Sequence, residues 1–580
     1  MISSTPTTPS RGPSQTNHHD WRSLVFPLVL LALCIVMFGW RLGVTPLEDF
    51  DEAYYAEGAR EMLARGDLLT PYYNGQPFLL KPVLIYWLIA AAFSGLGVTE
   101  FAARVCSAFL GTLVVLITYW FAARTLNPRA GLFAGLALSL NYMWIDIARD
   151  ASIDVPLTAA LAPALFLFFL AMQAQPAHKR WLYLACYPLF GLALLAKGPV
   201  PVAAALVALV AFLLAAKALQ TTAAEARVLP GIALVLLVAA PWYVYEVLHQ
   251  PEFVQIFFLR EHFGHLHGDL ARNEPWWGHL KNVLLYFLPW AAFLPAALIK
   301  AFRQSNPAHV LRLAAWWVIA FVVLFSFAGA KLAHYLAPAF PAAALLVGGW
   351  LDAWMSRARV SRAAVIFAVS LLGAVALACL AAAALLAAAH PVVMDPIRDK
   401  YGDWTPGPSA LVILGALAVG FLAACAAAVA RRPGSLPALL SGAMLVAGLA
   451  HAGWFKPRLA QIQAQPRKEL AQFVSAALPE SEPLGVYYAK RNSTIFYARR
   501  PIVDLGEHDH EFAGVVDFLS SPAPATLLTH EKFVTQLEES LPKVFVWTRR
   551  GHYVLVSNHR LHRPWPASPH RPASTGSRAP

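Results

Sequence analysis

Charge is scarce in this chain. Only 13% of its 580 residues are Asp, Glu, Lys or Arg, against 58% hydrophobic, and that excludes a soluble globular domain of this length. Cysteine is scarcer still. Cys34, Cys106, Cys186, Cys379 and Cys425 all lie inside apolar runs, and none pairs with another in a motif. A disulfide framework and a thiolate metal site are both excluded, and the five read as small buried hydrophobes. No glycine-rich phosphate loop follows a strand, so no nucleotide site is expected. Internal repeats are absent too. The net charge is +12, but the excess Lys and Arg sits in short loops and in the C-terminal tail, forming no continuous basic face. That placement excludes nucleic acid as a partner.

What the chain does have is apolar runs long enough to cross a bilayer, which takes about 20 residues. The runs are 24–43, 102–124, 131–148, 153–174, 181–196, 199–216, 228–248, 280–301, 311–328, 333–352, 362–389, 409–430 and 438–455. An all-α membrane domain of about 13 helices is the expected fold. The run 82–97 is apolar but short and opens on Pro82.

Orientation decides how that run is read. If it lies in the interface, alternate loops separate cleanly. One set holds Arg124 and Arg129, Lys179 and Arg180, Lys217 and Arg227, Lys300, Arg303 and Arg312, Arg357, Arg359 and Arg362, and Arg431 and Arg432. These loops are basic and nearly free of acid, as cytoplasmic loops are. The other set, outside, holds 46–81, 149–154, Lys197, 249–279, 331–335 and 390–408. The N-terminus is then cytoplasmic, and everything after about Phe455 lies outside.

The domain reading follows. Residues 1–23 are polar, rich in Ser, Thr and Pro, and read as a disordered cytoplasmic N-terminus. Residues 24–455 form the membrane domain, with outer loops at 46–101, 149–154 and 249–279 that carry the chemistry. Residues 456–558 read as a small outer α/β domain. KELAQFVSAAL and EKFVTQLEESL there have helical spacing, while LGVYYA, STIFYA, TLLTH, KVFVWT and YVLVSN read as strands. Residues 559–580 read as a disordered basic tail.

The first outer loop, PLEDFDEAYYAEGAREMLARGDLLTPYYNGQPFLLKPVLIYW, concentrates carboxylates beside the first span. Carboxylates placed there point to a site at the bilayer surface. Asp51 and Glu52 open a short amphipathic helix expected on that surface, and either also serves as a helix cap. Asp154, in RDASIDVPL, opens a span on the same side. Two carboxylates from different loops let one take a proton while the other positions an acceptor. Around them stand Lys81, Arg104, Lys197, Arg260 and Lys331, each at the outer end of an apolar segment, with Tyr335 beside His334. Singly each cation reads as snorkelling to the interface; together they suit a lipid phosphate. His262, His265 and His267 are weak candidates for a metal or acid–base site, because their spacing fits no zinc signature.

In order, these segments resemble one family. PLEDFDEAYYAEGAREML, TPYYNGQPFLLKPVLIYW, ARDASIDVPL, GLALLAKGPV, FFLREHFG and AKLAHYLAPAFP are similar to motifs of bacterial glycosyltransferase family 39, the aminoarabinose (lipid A) transferase group, relatives of the protein O-mannosyltransferases. The resemblance covers residues 24–350 well and the outer domain loosely. It implies the GT-C membrane fold and sugar transfer from a polyprenyl (undecaprenyl) phosphate to an envelope acceptor such as lipid A, at the periplasmic face of the inner membrane. By motif position Asp51 matches the family's catalytic carboxylate, with Glu52 beside it, and Asp154 matches the second outer-loop aspartate. Lys81 and Tyr335 match positions that contact the carrier phosphate. Arg104, Lys197, Arg260 and Lys331 join them as further phosphate candidates. Ala53-Tyr54 and Leu80 depart from the aminoarabinose subgroup, and Leu80 removes one possible ligand for a divalent metal, a cofactor left open. The expected reaction is an inverting single displacement. The rival reading, a lipid or lipid-linked-sugar flippase, predicts ionisable residues deep within spans and related halves of the chain, and neither is visible.

Overall fold

The structure is a computed structural model that describes residues 22–49, 51–263, 275–329, 331–356, 360–401, 407–430, 432 and 434–560. The expectations for residues 1–21 and 561–580, and those for His265 and His267, lie outside the described residues.

Each of the thirteen apolar runs falls on a helix or a bent helix pair. Along the first third of the chain these are α1 (Arg22–Cys34), α2 (Asp51–Arg65), α3 (Leu84–Leu96), α4 (Glu100–Thr125), α5 (Pro128–Ser139), α6 (Tyr142–Ala148), α7 (Asp154–Gln173) and α8 (Pro176–Lys197). Among the described residues, seven helices are long and apolar enough to cross a membrane, or up to nine if each bent pair is one span. The pair α5 and α6 bends by 66°, and the pair Gly278–Tyr286 and Trp290–Phe302 by 113°. Asn141 caps α6 at the first bend and donates its side-chain amide to the Tyr286 carbonyl, 2.7 Å away.

α3 has 13 residues and so spans roughly 20 Å, short of the ~30 Å hydrocarbon core. Ion pairs flank it at both ends. Lys81, just before it, pairs with Glu261, and Arg104, just after it, pairs with Glu52.

Two helices form the centre of the array. α7 and the segment Ala333–Met355 are mostly buried by their neighbours, whereas Val228–His249 and Arg362–Ala387 bury few of their residues. Lipid-facing helices have that pattern. Close approach at the centre relies on small residues: a Cβ on Gly348 would stand 2.6 Å from the Ala130 carbonyl of α5. Phe121 of α4 stacks on Phe166 of α7 at 4.0 Å. Both central segments open at the same end, α7 at Asp154 and the other beside His334 and Tyr335.

Past the last span lies a five-stranded mixed sheet of order β4-β3-β5-β7-β6. It comprises β3 (Leu484–Val486), β4 (Ile502–Asp504), β5 (Thr526–His530), β6 (Phe545–Arg550) and β7 (Tyr553–Ser557), with β3 parallel to β4 and β5. One expected strand is not there. STIFYA falls in a helix, Arg491–Ala498, and Ile502–Asp504 takes the edge position instead. Its β-branched and aromatic side chains suit a strand, but residues 492–498 are buried on every side. Tertiary packing overrides propensity there.

α2 also departs from expectation. Its Glu52, Glu57 and Glu61 are buried, so it is no surface helix with a wetted polar face. Each carboxylate has a partner. Glu57 receives two bonds from Arg60, at 2.6 and 2.7 Å, and Glu61 accepts from the Gly75 N–H at 3.2 Å. Glu52 holds the helix start. It accepts the Glu48 N–H at 2.7 Å and takes two bonds from Arg104, at 2.6 and 2.7 Å. Arg104 also donates to the carbonyls of Leu42, Thr45 and Pro46. This guanidinium, 1% exposed, therefore joins α4, the outer end of the first span and the start of α2. Removing one partner of a buried pair leaves the other charge stranded. Arg104→Met is expected to cost roughly 3–5 kcal/mol, and Arg104→Lys to recover little, because an ammonium cannot reproduce the fork. Thermal unfolding in detergent tests both; a lysine variant as stable as wild type contradicts the clamp.

Candidate active site

At the outer mouth of the two central segments, Asp154 begins α7 and is 2% exposed. Its Oδ1 accepts from Lys197 Nζ at 2.6 Å, the last residue of α8. His334 Nε2 stands 4.0 Å from its Oδ2. The Lys197 ammonium lies 4.6 Å above the Tyr335 ring, and the His334 and Tyr335 rings meet edge to face at 5.1 Å. Asp154, Lys197, His334 and Tyr335 thus form one knot drawn from three segments.

Residues of the first outer loop lie near it, close enough for the charges of Asp51 and Lys81 to act on His334. Asp51 opens α2 and is exposed. Among the described residues its carboxylate has no hydrogen bond or ion pair. Lys81, half-buried, pairs with Glu261 of the segment Val254–Phe263. Tyr55 follows one turn after Asp51 and is 1% exposed, and among the described residues its hydroxyl has no partner. Burial pushes the Tyr55 phenol well up, and the charges of Asp51, Asp154 and Glu261 push the same way. It is therefore a neutral hydroxyl held among three carboxylates. Spacing was the available signal: positions i and i+4 share a helix face, so a tyrosine four residues after a candidate base points where the base points. The partner role of Glu261 had no signal in sequence.

Four expected site residues stand elsewhere. Glu52 and Arg104 face each other in the clamp, and every Arg104 donor is taken by Glu52 or by groups of residues 42–46. Neither is placed for the catalytic or phosphate role that their sequence position suggested. Lys331 is buried and donates to the Ala328 carbonyl at 2.8 Å. Arg260 is exposed beside Glu261. The backbone of His262 lies in the segment Val254–Phe263. Among the described residues no three His, Cys, Asp or Glu side chains converge as a metal site.

The arrangement separates two carboxylates by environment. Asp154 is buried and paired with Lys197, whereas Asp51 is exposed and, among the described residues, unpaired. Lys81, Lys197 and Tyr335 supply donors for an anion between them.

The family model for dolichyl-phosphate-mannose-protein mannosyltransferase matches residues 80–245. The crystal structure of ArnT from Cupriavidus metallidurans bound to undecaprenyl phosphate superposes with a TM-score of 0.74 at 24% identity, covering 93% of this chain and 98% of that one. The fold is therefore the GT-C membrane fold. Among curated proteins, the undecaprenyl phosphate-alpha-4-amino-4-deoxy-L-arabinose arabinosyl transferase of Aeromonas salmonicida is 33% identical over 322 residues, 54% of this chain and 57% of that protein. An uncharacterized protein of Aquifex aeolicus is 30% identical over 346 residues, 59% of this chain and 66% of that protein. The chain thus spans under two thirds of the length of these relatives. The resemblance to the aminoarabinose-transferase group of glycosyltransferase family 39 holds in sequence and in fold.

Lys197→Met removes the counter-charge of a buried carboxylate, and a stability loss of roughly 3–5 kcal/mol is expected. Adding Asp154→Asn should restore much of it. Unfolding midpoints in detergent decide; an unchanged midpoint for the single variant contradicts the pairing.

Proposed function

We propose that this protein is an integral membrane glycosyltransferase that moves a sugar from a polyprenyl phosphate to a cell-envelope acceptor such as lipid A, on the periplasmic face of the bacterial inner membrane. The observation that carries the reading is the unpaired, exposed Asp51 facing the Asp154–Lys197–Tyr335 knot. The acceptor oxygen attacks the anomeric carbon as the bond from that carbon to the carrier phosphate oxygen breaks. Asp51 takes the acceptor's proton, and the polyprenyl phosphate leaves with the bonding electron pair. Inversion follows from a single displacement. Lys81, Lys197 and Tyr335 stabilise the charge on the leaving phosphate; such electrostatic stabilisation is often the largest catalytic contribution. For Lys81 to do so, its pairing with Glu261 must open or be shared. Tyr55, a neutral hydroxyl beside the base, is placed to orient the acceptor.

The topology belongs to the same proposal: about thirteen spans, N-terminus cytoplasmic, and the 456–558 domain periplasmic. The basic loops support it. A cysteine introduced at Glu507 should react with a membrane-impermeant maleimide from the periplasm, and one at Arg303 should not. The reverse pattern inverts the topology and moves the site to the other face.

The decisive experiment is transfer by purified protein from a panel of polyprenyl-phosphate sugars to lipid A and other envelope acceptors. Asp51→Asn, still folded and still binding carrier lipid, should lower the rate by roughly 10²-fold or more. Equal rates shift the base assignment to Asp154, and carrier movement without transfer favours the flippase.

A further inference from the structure

The α/β domain has no role in the chemistry above, yet its helix Arg491–Ala498 is docked on the loop that leads into Asp51. A helix on the surface of a small domain ordinarily leaves its polar side chains in water. Here Asn492, Ser493 and Thr494 are 6%, 3% and 0% exposed, and the first two bond to the first outer loop of the membrane domain.

The contacts converge on residues 47–49. Asp49 Oδ1 accepts both the Ser493 backbone N–H, at 2.8 Å, and the Ser493 hydroxyl, at 2.9 Å. The Asn492 side-chain amide donates to the Asp49 carbonyl and accepts from the Tyr73 hydroxyl at 2.6 Å. Tyr497, at the far end of the same helix, accepts the Leu47 N–H at 2.8 Å and donates to Glu100 at 2.9 Å. A second strap runs beside it. The hairpin β1 (Tyr72–Tyr73) and β2 (Gln76–Pro77) turns through Asn74 and Gly75, both at positive φ, as a primed two-residue turn requires. The Asn74 side chain then pairs with the backbone of Ile502 on β4, at 3.0 and 2.7 Å. The Tyr73 ring also packs on Tyr54 of α2 at 4.5 Å.

None of these groups touches Asp51; they hold Leu47 and Asp49, four and two positions before it. With no side-chain partner among the described residues, the Asp51 carboxylate is aimed by the chain that carries it. Arg104 and Glu52 hold that chain from the membrane side; the docked helix holds it from outside. A reacting group misplaced by about 1 Å loses on the order of a hundredfold in rate, so the outer hold bears on turnover.

We propose that Ser493 and Asn492 are positioning residues: through Asp49, the α/β domain aims Asp51 at the Asp154–Lys197–Tyr335 knot. This rests on the glycosyltransferase reading, so the test carries one readout that needs no activity. In the full-length protein, Ser493→Ala and Asp49→Ala should raise amide exchange at residues 51–55 by about tenfold, with β3, β5 and β7 protected as in wild type. The same variants should lower kcat by tenfold or more while donor KM stays within about twofold. Asp49→Asn keeps the accepting oxygen and should stay near wild type in both readouts. Raised exchange with unchanged kcat overturns the positioning role, and so does unchanged exchange in Ser493→Ala and Asp49→Ala. If wild type transfers no sugar from any donor, the activity reading fails, and the exchange arm alone decides whether the clamp exists.

Discussion

The buried pairing of Arg104 with Glu52 is the constraint on which the outer surface depends. A guanidinium carries five N–H donors in a fixed plane, and burying it without acceptors would be prohibitive. This one meets a carboxylate on α2 and three carbonyls of the 42–46 segment. A single side chain thereby fixes the end of the first span, the start of α2 and the start of α4 relative to one another. The position of Asp51, one residue before Glu52, is inherited from that geometry.

Across from this clamp the charges are arranged by the same rule with a different outcome. Asp154 is buried, so it carries a counter-ion; Asp51 is exposed, so it needs none. A carboxylate committed to a lysine is a poor base, and a free one is a good candidate. The division of labour between the two aspartates follows from solvent access. Neither the clamp nor the Asp154 pair is evidence of stability for its own sake, because desolvation offsets much of the attraction in a buried pair. Their use lies in geometry, since the clamp holds three segments and the Asp154 pair two at a set separation.

The outer domain completes the picture from the other side. Its five-stranded sheet has its own small core, around Tyr487, Leu527, Phe533 and Val554. A second cluster runs from Tyr55 and Tyr86 of the first outer loop through Leu470, Ile495 and Phe496 of the outer domain. The interface is thus apolar as well as hydrogen-bonded. α2, buried between the membrane domain and this domain, carries polar groups that would be wetted on a free surface helix.

Much of this was legible in the linear chain. Apolar runs of span length, basic loops at alternate turns and carboxylates gathered in one loop are local properties, and hydropathy and charge placement report them directly. Asp51, Asp154, Lys81, Lys197 and Tyr335 could be singled out because each is a polar residue at the end of an apolar segment. Which polar groups would be consumed by one another was not legible. Arg104 and Lys197 read alike in sequence, yet Arg104 turns to Glu52 and three carbonyls while Lys197 turns to Asp154 at the site. STIFYA reads as a strand, yet its segment is a helix because its surroundings bury it on every side. Composition and periodicity determined the membrane architecture, since bilayer insertion depends on local hydrophobicity. Partner choice, burial of Glu52, Glu57 and Glu61, and the docking of the outer domain were decided by the tertiary structure, because they depend on contacts between segments as many as 450 residues apart.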